Sequence, residues 1–259
     1  MARLCAYPSL VDHLLEYTSR YDPAFPSRIE GASAEEIERL ERAANVPLPR
    51  DYRRFLELMG RNDGGMFGGD ETAHSVADML EFYEHDRDAE DYIVPEDCIA
   101  IAVGTISLEL VCMELAPPHR VLETWGGKKG DLWAASLRGH LYKGAYHYGA
   151  SRRRKHRLVF TGDMSKERLP RAERFCEDLG FQRLWFSDEI ETCYESAEDS
   201  VIAYKDEGYT FGLVLCTDRF LFRRMHFVDK LSRAVGIRLT RQWDDEKHWW
   251  STPIFGGDE

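Results

Sequence analysis

The sequence has no apolar run long enough to cross a membrane. A spanning helix needs about 20 consecutive apolar residues, and no window of the 259 residues approaches that length. Residues 1–21 also lack the unbroken apolar segment of a secretory signal, because Asp12, His13 and Glu16 interrupt it. The pattern predicts a soluble protein that is not exported and has no membrane partner.

Paired cysteines are also missing. The six cysteines show no CxxC spacing, and most lie among apolar residues, where a reduced thiol packs as a small hydrophobic group. This usage is typical of a reducing compartment, so we predict that the protein is cytoplasmic.

Short catalytic and nucleotide-binding motifs are absent as well. The glycines at 64–69 and 126–130 do not form the GxxxxGK[ST] loop that cradles phosphate, and no GxSxG elbow or HExxH helix occurs. His140 and His147 lie among small and aromatic residues, which favours packing positions over catalysis. We therefore predict a protein without catalytic residues, metal or cofactor.

Negative charge is what the sequence has in excess. The net charge is −12, and residues 70–97 hold eleven Asp or Glu against the single Arg87, which gives this stretch a charge of −10. Such a stretch repels nucleic acid and attracts basic proteins, although it also fits a surface that serves solubility alone. The partner-binding candidates are Asp63, Asp70, Glu81, Glu84, Asp86, Asp88, Glu90 and Asp91.

Hydrophobic spacing predicts helices in the first 60 residues. Residues 9–21 repeat their apolar positions with a helical period. Ser33 and Glu36 have the spacing of a capping box, which begins a second helix. A third helix covers 52–59, and we expect Gly60 to end it in the left-handed conformation.

The next segments predict a loop, a helix and strands. The glycine-rich residues 62–70 favour a loop, and Ser75 can cap a further helix. Three short apolar runs follow at 99–103, 108–113 and 121–125, and they predict an antiparallel meander. Helices followed by clustered strands indicate an α+β domain over residues 1–148.

A basic segment at 149–157 marks the predicted domain boundary. Its five Lys or Arg residues and His156 are not interleaved with aromatic residues, so we interpret it as a linker and expect no nucleic-acid partner. Residues 158–259 predict a second, smaller α+β domain. Its elements are a strand at 157–160, a helix at 170–179, strands at 183–186, 190–194, 201–204 and 209–216, a helix from Asp218 to Val235, and a strand at 237–242.

One motif of the first domain is characteristic of a family. A capped helix, an "lP-x-x-y-x-x-F-L" segment and a loop with Gly-Gly follow one another between residues 29 and 65. In this order they resemble the SUKH (Smi/Knr) superfamily, and the resemblance extends over residues 8–148. The residues that carry it are Ile37, Leu40, Glu41, Leu48, Pro49, Tyr52, Phe55, Leu56, Gly64 and Gly65.

The resemblance implies a binding protein rather than an enzyme. Members of the superfamily are similar in being small α+β binding proteins without a shared catalytic centre, and many bacterial members are immunity proteins against toxins. Together with the acidic stretch, it leads us to expect a cognate protein toxin, a basic one, as the partner. A cytoplasmic regulatory scaffold that opposes no toxin is an alternative.

The second half suggests another alternative. Residues 156–225 resemble one βαβββ module of the glyoxalase/bleomycin-resistance (vicinal oxygen chelate) superfamily, through positions such as Phe175, Gly180 and Phe186. That resemblance implies an enzyme or a small-ligand-binding protein, in which His156 or Glu191 contacts a metal or substrate. The last strand has no Glu to complete a metal site, so a working metal centre is not expected.

Overall fold

The structure is a computed structural model that describes residues 10–67, 72–86, 92–104, 110–151, 154–163, 168–206, 210–218 and 227–243. The chain divides into two compact units, residues 1–148 and 149–259. Each unit combines helices with an antiparallel sheet, which confirms the predicted α+β class. Within the described ranges, no helix has the length and apolar content that a membrane span requires.

Helices of the first unit begin where the sequence places their caps. Ser33 and Ser75 each accept a hydrogen bond from the backbone amide three residues later, and the acidic side chain at that position accepts one from the backbone amide of the serine, so both capping boxes form. The helices are α1 (Leu10–Ser19), α2 (Ala34–Ala44), α3 (Arg50–Met59), α4 (Val76–Glu81) and α5 (Leu137–Tyr146).

Gly60 ends helix α3 for a different reason from the one predicted. Its φ is −68°, an ordinary right-handed value, so the expected left-handed cap is wrong. A Cβ at this position would lie 2.5 Å from the carbonyl oxygen of Leu56 and 2.9 Å from the Ala32 side chain. Glycine is therefore needed because the segment around Ala32 packs closely against the end of the helix.

The sheet of the first unit is an antiparallel meander of five strands, in the order β3-β4-β5-β6-β7. A separate two-stranded ribbon, β1 (Ile29–Glu30) with β2 (Asn62–Asp63), precedes it. The three predicted strands are present, but the sequence reasoning missed β7 and helix α5. The five strands are β3 (Thr72–Ala73), β4 (Cys98–Gly104), β5 (Leu110–Glu114), β6 (Val121–Trp125) and β7 (Lys128–Ala134).

The second unit is built on a six-stranded antiparallel sheet with the order β13-β8-β12-β11-β10-β9. One face packs against helix α6 (Arg168–Asp178) and the helical residues 227–236, around a core that includes Phe160, Phe211 and Leu231. The strands are β8 (His156–Asp163), β9 (Gln182–Arg183), β10 (Glu191–Glu195), β11 (Asp199–Asp206), β12 (Thr210–Thr217) and β13 (Arg238–Trp243).

Two predicted elements of this region differ in the structure. The basic linker is shorter than 149–157, because a helical turn continues α5 as far as Ser151 and strand β8 already begins at His156. The strand predicted at 183–186 is limited to Gln182 and Arg183. The Leu184 amide still donates to the Cys193 carbonyl oxygen at 2.9 Å, and the chain then turns at Trp185 and Phe186. The predicted helix from Asp218 is described only from residue 227 onward.

Candidate functional site

An acidic turn follows helix α4 in the first unit. The helix continues as a π-helical turn from Phe82 to Asp86, in which Phe82 and Tyr83 are buried. Glu81, the last residue of α4, and Glu84 and Asp86 of the π-helical turn are exposed to solvent. We call these three residues the acidic turn.

One member of the acidic turn is already engaged within the protein. Arg39 of helix α2 donates from Nε to Glu84 Oε1 at 2.7 Å and from Nη2 to the other carboxylate oxygen. These hydrogen bonds lower the pKa of Glu84. Glu84 therefore stays ionised, but part of its charge is compensated by the guanidinium.

Asp63 does not lie on this surface. Its side chain is buried, and its oxygens accept hydrogen bonds from the amides of Gly65 and Phe67 at 2.8 and 2.7 Å and from His74 Nε2 at 3.0 Å. Burial by itself would raise the pKa of Asp63, but the bonds from His74 and the two amides outweigh it and lower the pKa. The structure thus places this interface candidate inside the unit, where it orders residues 64–67, which we call the glycine loop.

The remaining candidates lie outside the described residues, and some neighbouring carboxylates make contacts within the protein. Asp70, Asp88, Glu90 and Asp91 lie outside the described residues. Two further carboxylates of the acidic stretch serve internal contacts: Asp78 completes a capping box and Asp97 binds Lys129 Nζ at 2.6 Å. The −10 charge of the stretch is therefore an upper limit for the charge that a partner encounters.

Residues 31–148 match the family model of the SMI1 / KNR4 family (SUKH-1). The first unit contains a SUKH domain. The match begins at residue 31, whereas the sequence resemblance was drawn from residue 8, so helix α1 precedes the matched range. Comparisons with curated proteins and with solved structures found no match.

The signature residues of the SUKH domain have structural roles in this chain. Glu41 joins the two signature helices, because its carboxylate accepts the Leu48 amide at 3.0 Å and pairs with Arg53 at 2.8 Å. Gly64 and Gly65 have φ values of +70° and +83°, which favour glycine. The apolar signature positions form the core: Ile37, Leu40, Leu48, Tyr52, Phe55 and Leu56.

Sequence reasoning missed an apolar surface on the SUKH domain. Trp125, at the end of β6, is 63% exposed, and Ile93 is 46% exposed. Ile93 lies against the β6–β7 turn, since a Cβ at Gly127 would be 3.0 Å from its side chain. Strand periodicity gives no signal for this exposure, because it depends on where the strand ends and which segment covers it.

The second unit separates the two residues named for the glyoxalase-like alternative. His156 begins strand β8 and pairs with Thr217, whereas Glu191 begins strand β10 and pairs with Tyr204. Two strands lie between β8 and β10, which sets them about 14 Å apart across the sheet. His156 and Glu191 also lie toward opposite ends of the sheet, so they cannot bind one metal ion together.

In the part of the chain that the structure describes, no group of three or more His, Cys, Asp or Glu side chains is arranged to hold a metal ion. Two exposed features of the first unit remain, the acidic turn and the apolar side chains near the β6–β7 turn.

Proposed function

We propose that the chain is an immunity-type protein that binds a cognate protein toxin and blocks its active site, without itself catalysing a reaction. The observation that carries the proposal is the SUKH match over residues 31–148. Proteins of this kind act by presenting a complementary surface, so the partner-binding residues are sought among exposed side chains rather than in a pocket.

The acidic turn supports a basic partner. Glu81 and Asp86 are exposed, and Glu84 is exposed beside Arg39. A negative surface attracts a positively charged protein over a distance and raises its association rate. A toxin that acts on nucleic acid carries such a positive surface, because it must bind phosphates. We therefore propose a basic nuclease or deaminase as the toxin.

The cysteines support action in the cytoplasm. Cys98, Cys112, Cys176, Cys193 and Cys216 are free thiols with buried side chains. Buried thiols of this kind are typical of a reducing compartment, where they pack as small hydrophobic groups. The chain would therefore bind a toxin that has been delivered into the cytoplasm.

The test is co-expression with a toxin-like protein encoded beside this gene. We expect the chain to restore growth of cells that make the toxin and to co-elute with it in size-exclusion chromatography. Equal growth with and without the chain, together with separate elution, would refute the proposal.

A matched pair of variants locates the surface. Glu81→Lys with Asp86→Lys changes the charge of the acidic turn by +4, and we expect slower association that depends less on salt. Glu177→Lys with Asp178→Lys makes the same change on exposed positions of helix α6 in the second unit. If both double variants slow association equally, the acidic turn has no special role.

A further inference from the structure

The glycine loop of the SUKH domain depends on one buried carboxylate. The turn after β2 is fixed by Asp63, which accepts the amides of Gly65 and Phe67. The same carboxylate accepts a hydrogen bond from His74 Nε2 at 3.0 Å. His74 stands between β3 and α4, so this contact ties the loop to the strand that follows it.

The second ring nitrogen of His74 also faces an acceptor. Nδ1 lies 3.3 Å from the carbonyl oxygen of Thr72. An ionised carboxylate and a carbonyl oxygen accept hydrogen bonds but donate none, so each ring nitrogen must carry a proton to make its bond. A neutral imidazole has only one N–H, whereas the imidazolium ion has two. The positions of the two acceptors therefore select the imidazolium form.

We propose that His74 is a proton-dependent clamp: as an imidazolium ion it donates to Asp63 and Thr72 and stabilises the glycine loop, and loss of one proton removes one of these hydrogen bonds and the positive charge beside Asp63, which loosens the loop. The device is built from three residues of the fold and needs no bound ligand. It is independent of the toxin-binding proposal.

The clamp controls the position of an aromatic side chain. The Phe67 ring meets the His74 ring edge-on at 5.6 Å between centroids and stacks on His140 of helix α5 at 4.9 Å. Gly144 leaves space for it, since a Cβ there would be 2.4 Å from the ring. A looser loop would therefore give Phe67 more freedom of movement between His74 and helix α5.

The charged groups around His74 set the direction of its titration. Burial favours the neutral ring, but Asp63 from the loop and Asp78 from helix α4 favour the charged one, and His140 of α5 is separated from it by the Phe67 ring. The balance raises the pKa of His74. A raised pKa means that the stabilisation of the loop is full below the ordinary histidine pKa of about 6.5 and is lost as the pH rises through the raised value.

The test is an NMR titration of the full chain between about pH 5.5 and 9. We expect the imidazole nitrogens of His74 to be both protonated at the acidic end. The hydrogen-exchange protection of the Gly65 and Phe67 amides should fall about tenfold for each unit by which the pKa of His74 is raised. This fall in protection should begin near the ordinary histidine pKa of about 6.5 and be complete when His74 has lost its proton. A neutral His74 at pH 6, or protection factors that do not change with pH, would overturn the proposal.

Two variants separate the clamp from a general pH effect. In His74→Gln the side-chain amide donates to Asp63 but does not titrate, so the pH dependence of loop protection should disappear. His119→Gln removes a histidine whose Nδ1 faces the carbonyl oxygen of Glu114 at 3.0 Å, and it should leave that dependence unchanged. A loop that still titrates in His74→Gln contradicts the clamp. If that variant does not fold, the titration of the unmodified chain decides.

Discussion

Arg39 of helix α2 and Glu84 of the acidic turn are joined by two hydrogen bonds although they are 45 positions apart in the chain. The side chain of Arg39 is 55% exposed and that of Glu84 is 29% exposed. Exposed pairs of this kind add little to stability, because water and salt screen them. The main consequence of the pair is electrostatic, since a positive charge lies within the surface proposed to attract a basic partner.

Removal of that positive charge should strengthen the attraction. In Arg39→Met the long apolar chain is kept but Glu84 loses its partner, so we predict faster association with the basic toxin and a steeper dependence on ionic strength. Stopped-flow measurements at two salt concentrations test this. Arg54→Met is the matched control, because Arg54 also pairs with carboxylates, Glu57 and Asp12, on another helix. Equal acceleration by both variants would argue for net charge alone.

Glu114 should stabilise the first unit in a pH-dependent way. It accepts two hydrogen bonds from Arg120 and one from Lys129 Nζ, and the Arg120 bonds lower its pKa to about 2. A lowered pKa means that the stabilisation is full above the ordinary pKa of a glutamate and is lost as the pH falls toward 2. We predict that Glu114→Gln lowers the free energy of unfolding by roughly 1–2 kcal/mol at pH 7 and by much less at pH 3.

Urea denaturation at the two pH values measures this difference. Asp131→Asn, at an exposed position of strand β7, is the control and should change the free energy of unfolding little at either pH. The same loss for Glu114→Gln at pH 3 as at pH 7 would contradict the role assigned to its ionised carboxylate.

Removal of two buried tyrosine hydroxyls should have different effects on the free energy of unfolding. The Tyr83 hydroxyl accepts the Ala100 amide of β4 at 2.7 Å, whereas the Tyr52 hydroxyl has no hydrogen-bond partner among the described residues. Tyr83→Phe leaves a buried amide unpaired and should cost about 1–3 kcal/mol of unfolding free energy. Tyr52→Phe removes an unpaired polar group and should be neutral or stabilising. Thermal unfolding of both variants checks the order, and a larger loss for Tyr52→Phe would contradict it.

Gly144 and Phe67 should be coupled energetically. A methyl group at position 144 would enter the Phe67 ring, so we predict that Gly144→Ala costs about 1–3 kcal/mol of unfolding free energy through overpacking. Phe67→Leu shortens the opposing side chain and should recover part of that loss in the double variant. Denaturation of the four proteins in a double-mutant cycle gives the coupling energy. Additive losses would mean that the two residues do not touch in solution.

Much of the local structure could be predicted from the sequence because the signals were themselves local. The capping boxes at Ser33 and Ser75 involve residues three positions apart, so the spacing alone identifies both helix starts. Strand β7 was not predicted because its exposed, polar sequence KKGDLWA has no apolar alternation. Helix α5 was not predicted because Gly139 and Gly144 weaken its helical pattern, although Gly144 is required there by the close approach of the Phe67 ring.

The candidate site shows the same division. The excess of carboxylates was visible in composition, and the exposed positions of Glu81 and Asp86 are consistent with the surface predicted from it. The burial of Asp63 could not be predicted, because its partner His74 is eleven positions away and nothing in the spacing indicates that the two residues pair. Nor could the sequence foresee that Ile93 would lie beside the β6–β7 turn, or that Arg39 would compensate Glu84.

The sequence by itself determined the α+β class, the helix starts, the SUKH resemblance and the negative sign of the charge, because these follow from composition and from contacts between near neighbours. Only the tertiary structure decided which carboxylates face solvent and which are buried. Burial and ion pairing depend on residues that are distant in the chain and are brought together by packing. That is why Asp63 orders a loop inside the unit while Glu81 remains available at its surface.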